Sequence, residues 1–136
     1  GVYPNTDTVL ITEFGEAKNA TQSNKRWMEK FGEWKHADQV GDWKENGTIT
    51  WNIDVKEAGY YYLDLSYSGK KRLVWKTVTD EGVVLQNQQA ATEKYVFYSM
   101  GILEFKTPGL HTITTSLVEG DKKTSSLKSL KLRPIK

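Results

Sequence analysis

Residues 41–67 read GDWKENGTITWNIDVKEAGYYYLDLSY, and this stretch decides the fold. From Thr48 to Val55 the apolar residues Ile49, Trp51, Ile53 and Val55 alternate with Thr50, Asn52 and Asp54. That period of two belongs to a strand with one buried and one wet face. From Tyr60 the pattern resumes, with Tyr61, Leu63, Leu65 and Tyr67 on one face and Tyr60, Tyr62, Asp64 and Ser66 on the other. Asn46-Gly47 ahead of the first strand suits a tight turn with φ > 0. Lys56-Glu57-Ala58-Gly59 is a short connection that ends in a permissive glycine. The stretch therefore predicts antiparallel strands with one face in a core.

Working outward, the same signals recur. Val9 to Phe14 reads as a first strand. Arg72 to Thr79 follows the Ser68-Gly69-Lys70 turn, and Val83 to Leu85 follows Asp80-Glu81-Gly82. Gln86 to Thr92 reads as a polar loop, Tyr95 to Tyr98 and Ile102 to Phe105 as two short strands, and Leu110 to Val118 as the strand after Pro108-Gly109. Ser125 to Ile135 closes the sheet. Between Glu16 and Asp42 the pattern is least regular: Trp27, Met28, Phe31 and Trp34 fit a short amphipathic helix over Arg26 to Trp34, with a binding loop as the competing reading. About eight or nine short antiparallel strands and hardly any helix predict an all-β fold, a β-sandwich or jelly roll.

Composition narrows the function classes. At 136 residues the chain reads as one domain, 1–136, able to bury a single core. The net charge of +2 comes from 19 basic and 17 acidic residues scattered among one another, which argues against a nucleic-acid binder. Without cysteine there is no disulfide framework and no thiolate metal site. No apolar run approaches the ~20 residues of a membrane span. Asn19-Ala20-Thr21 and Asn46-Gly47-Thr48 match the glycosylation sequon, which acts only in a eukaryotic secretory route.

Catalytic chemistry finds no foothold. His36 and His111 lack metalloprotease spacing, no G-x-S-x-G elbow is present, and no glycine-rich phosphate loop joins a strand to a helix. The acidic pairs Glu13/Glu16 and Asp80/Glu81 fall on a strand edge and a turn, where solvated charge is the expected state. Aromatic content stands out instead, with five tryptophans and seven tyrosines. Sugar rings pack their C–H faces on aromatic rings, while their hydroxyls need donors and acceptors such as amides and charged groups.

Gly41-Asp42-Trp43, the alternating strand, then Glu57-Ala58-Gly59-Tyr60-Tyr61 with Leu63, Leu65 and Tyr67 resemble the core of carbohydrate-binding modules of families 6 and 35. Thr107-Pro108-Gly109-Leu110-His111-Thr112-Ile113 is similar to the turn and strand of those modules, and Leu127 to Leu132 to their closing strand, so the resemblance covers roughly Val40 to Leu132. It implies a galactose-binding-domain-like β-sandwich of the kind appended to bacterial glycoside hydrolases such as α-L-fucosidases. It also implies that Trp43 is a scaffold residue. Carried over residue by residue, the sugar-stacking aromatics fall on Trp34 or His36 and on Tyr95. The position of a hydrogen-bonding asparagine falls near Ser125 or Ser126, where the amide is lost. The structural calcium of such modules would draw on Glu13 and Glu16, but its partner carboxylate falls close to Lys128, and a cation does not ligate calcium.

The expectation is thus a non-catalytic carbohydrate-binding domain, without metal or cofactor, that brings an attached glycoside hydrolase to a glycan or polysaccharide. Its ligand-binding residues would be Trp34, His36, Tyr95, Ser125 and Ser126. The alternative is a structural accessory domain that packs against the catalytic domain of the same parent chain and binds no sugar. Either form would be a monomer, excised from or appended to a larger hydrolase, with no nucleic-acid partner and no membrane span. It would be secreted, periplasmic or on the cell surface.

Overall fold

The computed structural model describes residues 1–3, 6–28, 32 and 34–136, with the side chains of 25–27 and 34–37 excepted. Eleven strands are seen among them: β1 (Thr8–Ile11), β2 (Glu16–Lys18), β3 (Thr21–Met28), β4 (Trp34–Gly41), β5 (Thr48–Val55), β6 (Gly59–Ser68), β7 (Leu73–Thr79), β8 (Val84–Gln89), β9 (Phe97–Phe105), β10 (Gly109–Glu119) and β11 (Ser126–Pro134). One sheet runs β3-β4-β11-β6-β9, with β1 also paired to β11, and the other runs β2-β5-β10-β7-β8. All the pairings are antiparallel. This is the β-sandwich that the alternating pattern predicts.

Ile49, Trp51, Ile53, Val55, Tyr61, Leu63, Leu65, Tyr67, Ile113 and Leu130 all face the core, as period-2 reading requires. Register does the joining: Ile113 lies opposite Trp51, and Leu130 opposite Leu65, so inward side chains of neighbouring strands meet in rows. At one end of the core Trp75 sits edge-on to Trp43 and Tyr67, with ring centroids 5.6 and 5.9 Å away. Trp43 is the buried scaffold residue expected, and its indole N–H donates to the Ser125 carbonyl at 3.0 Å.

Several expectations are corrected. The first strand stops at Ile11, and Glu13 lies in a 3-10 turn, Thr12–Phe14. Arg26 to Met28 is strand, paired to β4, and so is Trp34; the helix proposed there is replaced by antiparallel strands. The spacing of Trp27, Met28, Phe31 and Trp34 is a helical one, and the pairing of β3 with β4 overrides it. Residues 29–31 and 33 lie outside the described part. Gln86 to Gln89 is not loop but the edge strand β8. Its inward amides are satisfied across the sandwich, Asn87 donating to the Met100 carbonyl and Gln89 to the Ser99 carbonyl at 3.0 Å, so polar side chains tie together the free edges of both sheets. The two segments expected around residue 100 are one strand, β9, broken in register beside Gly101, whose φ is +138°.

The Asn46-Gly47 turn divides its work differently from the expectation. Asn46 takes the left-handed conformation, φ +59°, whereas Gly47 is required for space. A Cβ there would stand 2.7 Å from the Asn19 carbonyl oxygen, which is itself held by the Lys44 N–H at 2.8 Å. Gly47→Ala is expected to cost ~2 kcal/mol, because backbone rather than a flexible side chain must yield. Chemical denaturation measures this directly.

Candidate functional site

Tyr95 ends the loop that leads into β9, and that loop is pinned at several points. Gly69 and Thr92 exchange two backbone hydrogen bonds of 2.8 and 3.0 Å, the Thr92 and Tyr98 hydroxyls are 2.9 Å apart, and the Tyr67 hydroxyl donates to the Ala90 carbonyl. Burial, reinforced by Tyr98, pushes the Tyr67 phenol up to about 12, so it stays a neutral donor. The Tyr95 ring is 36% exposed. Its hydroxyl donates to the Gln39 side-chain oxygen at 2.8 Å and pairs with the Ser126 hydroxyl at 2.5 Å, with Ser68 a further 3.4 Å neighbour. Lys128 places its ammonium 5.4 Å from the ring centroid.

Gln39 and Ser126 are also part of a polar cleft of about 200 Å3, with Ser23, Gly41, Lys123 and Ser125 among its walls. The cleft lies where β3, β4 and the start of β11 meet, and Tyr95 stands at its lip. Amide, hydroxyl and ammonium groups converge there beside a part-exposed aromatic ring. Such a site, which also has the Asp42 carboxylate in its wall, can hold a polyhydroxylated ligand by stacking and hydrogen bonds.

Of the five residues expected at the site, three gather. Tyr95 and Ser126 are in contact, and Ser125 is beside them, although its main chain is taken up by Trp43 and by the Asp121 carbonyl. Trp34 and His36 are in β4, opposite Met28 and Arg26, and not on a loop next to Tyr95. They lie five and three residues from Gln39, or about 17 and 10 Å along the strand. Their side chains fall outside the described part. Gln39, Ser68 and Lys123 were not singled out from sequence as site residues, and Lys128 only as the cation at the calcium carboxylate's position, because each becomes notable here only through neighbours on other strands.

His111 belongs to another part of the molecule. Its ring contacts Phe105, which pairs with Gly59, nine residues and about 30 Å along β6 from Ser68 at the cleft. Nδ1 is 2.9 Å from Asp80, and Nε2 donates to the Thr107 carbonyl at 2.7 Å. Glu81 lies 3.7 Å from Nδ1 and accepts the Lys106 N–H at 2.9 Å. Asp80 and Glu81 are therefore a clamp that ties the β7–β8 turn to the β9–β10 turn, where solvated charge was expected.

Burial lowers the His111 pKa, but the Thr107 carbonyl, Asp80 and Glu81 outweigh it and hold the value above the ordinary 6.5. For Asp80 burial acts upward, but the Thr112 N–H and His111 carry it below the ordinary 3.8. A raised histidine stabilises fully below 6.5 and loses its contribution as pH rises through the raised value. A lowered aspartate contributes above 3.8 and is lost as pH falls through the lowered one. The melting temperature should therefore fall as pH rises from 6.5 through the raised value, and His111→Gln should flatten that limb. An unchanged alkaline limb in the variant would remove the clamp from the account.

No family model matches the sequence. No curated protein matches it. Solved structures do. The native structure of a family 35 carbohydrate-binding module from Clostridium thermocellum superposes with a TM-score of 0.68 at 14% identity, covering 96% of this chain and 99% of that one. A family 6 carbohydrate-binding module from Cellvibrio mixtus lichenase 5A, in complex with cellotriose, gives 0.65 at 11% identity over 95% and 98%. The chain has the fold of a family 6/35 carbohydrate-binding module. Podospora anserina GH26-CBM35 β-(1,4)-mannanase gives 0.72 at 16% identity, and there the match covers 96% of this chain but 28% of the larger one.

The resemblance set Glu13 and Glu16, expected on the first strand, against Lys128 as a calcium position; neither is in β1. Glu13 is in the 3-10 turn, Glu16 in β2, and Lys128 over Tyr95 on the opposite sheet. No group of three or more His, Asp or Glu side chains placed to hold a metal ion is found among the described residues.

Proposed function

We propose that the chain is a non-catalytic carbohydrate-binding domain that holds a sugar in the cleft beside Tyr95. The observation that carries this reading is the Tyr95 ring, partly exposed yet fixed through its hydroxyl to Gln39 and Ser126 at the lip of a polar cleft. A sugar residue stacks on the free part of the ring and exchanges hydrogen bonds with Gln39, Ser125, Ser126 and Lys123. The pinned loop means that little order has to be created on binding. Trp34 and His36 contribute only to a ligand long enough to run along β4. The expected affinity is on the order of micromolar to millimolar, since a shallow wet site buries little area.

The fold's occurrence inside larger enzymes such as the mannanase supports the further part of this proposal, that the domain holds an attached glycoside hydrolase near its polysaccharide, outside the cytoplasm, with multivalent surfaces raising the avidity. One observation favours the structural alternative. Phe14, 77% exposed, and Leu110, 83% exposed, line an apolar groove of about 400 Å3 with Val9 and Ile11, suited to packing against a neighbouring catalytic domain.

A glycan array probed with the 136-residue protein and with its Gln39→Ala variant tests the binding reading. Binding that the variant loses supports the cleft. Silence across neutral plant, host and microbial glycans overturns it in favour of the structural alternative.

A further inference from the structure

β8 borders the five-stranded sheet, and among the described residues only β7 pairs with it. The other borders of the two sheets are each blunted. β1 and β2 are four and three residues long, and the sequence of β3 carries Lys25 and Arg26. β9 is broken in register beside Gly101, and its Met100 and Ser99 carbonyls are already taken by Asn87 and Gln89. Short length, charge and bulges are the usual means of keeping an edge from pairing with another chain. β8 uses none of them. Its register with β7 is unbroken, and Val83 to Thr92 reads VVLQNQQAAT, ten residues without a charge, a proline or a glycine.

The turn ahead of β8 fixes which of its backbone groups are open. Thr79 donates its N–H to the Val83 carbonyl at 3.0 Å, while the next residue, Asp80, donates to the Thr112 carbonyl on β10 at 3.2 Å. Hydrogen-bonded pairs alternate along an antiparallel ladder. Leu85, Asn87 and Gln89 therefore turn their N–H and C=O groups to β7, and Val84, Gln86 and Gln88 turn theirs outward. These three residues are exposed, Val84 by 52%, whereas Leu85 packs against the core.

We propose that β8 is a self-association edge, on which two copies of the chain pair antiparallel about a two-fold axis through Gln86. Gln86 then faces the partner's Gln86, Val84 faces the partner's Gln88, and the two five-stranded sheets run on as one. The three facing pairs make about six backbone hydrogen bonds, two for each. Only this register sets all three open residues of one copy opposite all three of the other, and a slip of one residue would turn the outer face of one copy against the inner face of its partner. A second copy fits the edge because the run is uncharged: it meets itself with no like charges opposite, which a strand bearing Lys25 and Arg26 does not allow. Facing glutamines can also share amide hydrogen bonds. The pair closes on itself, since each copy has then used its open edge. Such a strip is small beside stable interfaces, so the dissociation constant is expected on the order of 100 µM, and the monomer expected from the sequence is the dilute state.

Sedimentation velocity of the 136-residue protein from about 10 µM to about 1 mM tests this. The expected result is a reversible passage from monomer to dimer and nothing larger. Over the same range amide hydrogen exchange should slow at Val84, Gln86 and Gln88 and stay unchanged at Leu85 and Asn87, which β7 protects in either state. Gln86→Lys and Gln86→Glu should each weaken the dimer at least about tenfold by setting like charges opposite one another, and an equimolar mixture of the two should associate again. Melting curves check that both variants are folded, and the exchange pattern needs no variant. A protein that stays monomeric throughout would leave the edge to a strand of some other protein and overturn the proposal. Growth into larger species, or a mixture no better than its components, would do the same. Association through the groove at Phe14 and Leu110 would survive both substitutions and leave the β8 amides unslowed, which also overturns it.

Discussion

Trp75→Ala is expected to lower the unfolding free energy by about 3–5 kcal/mol, the usual loss for a deleted core aromatic. Trp75 is fully buried, and it is the ring against which both Trp43 and Tyr67 set their edges, so its removal opens a cavity at the end of the core that supports the cleft. In a domain whose whole stability lies near 5–15 kcal/mol, that loss is a large fraction. Phenylalanine substitutions separate packing from polarity. The buried Trp75 indole N–H has no hydrogen-bond partner among the described residues, whereas that of Trp51 donates to the Ile11 carbonyl at 2.8 Å. Trp75→Phe should therefore cost less than Trp51→Phe, which removes a hydrogen bond. Urea unfolding measures all three, and a loss below about 1 kcal/mol for Trp75→Ala would contradict the core as described.

Tyr95→Ala is expected to have the opposite profile. It removes the stacking surface and the group that holds Gln39 and Ser126 in place, so sugar affinity should fall by at least about tenfold, as for an aromatic anchor of a binding site. Stability should change by under about 1 kcal/mol, because the ring is partly exposed and outside the core cluster. Tyr95→Phe should fall between, keeping the ring while losing the hydroxyl contacts. Titration calorimetry with a glycan identified on the array, paired with thermal melts, reads both quantities.

The scaffold was legible because its determinants are local. Ile49, Trp51, Ile53 and Val55 state their face by alternation alone, and Tyr61, Leu63 and Leu65 do the same on β6, which lies in the other sheet and not beside β5 in one antiparallel sheet as the stretch suggested, because alternation fixes a face and not a partner. Where alternation meets a second influence the reading fails. Asp64 and Ser66 keep the outward phase of Tyr60 and Tyr62, yet both are buried on the outer face, where Arg133 engages Asp64. The run QNQQ looks like a loop because nothing nearby explains half-buried amides; the carbonyls that accept from Asn87 and Gln89 are on β9, ten and more residues away.

The site was less legible for the same reason. Tyr95 meets Gln39 across 56 residues and Ser126 across 31. No periodicity encodes such distances. The resemblance supplied Tyr95, Ser125 and Ser126 as neighbours of one another, but it had no means to supply Gln39, which comes from the strand that replaced the expected helix. His111 and its carboxylates show the same limit, since Asp80 is 31 residues away and looks like an ordinary turn residue until β10 brings the imidazole to it.

The most direct test of the cleft is a residue-resolved titration of the isotope-labelled protein with a glycan that it binds. Amide shifts should concentrate at Gln39, Gly41, Tyr95 and Lys123 to Ser126 and move in proportion to occupancy. Shifts confined to Phe14 and Leu110, or absent from the cleft while the glycan is bound, would contradict it.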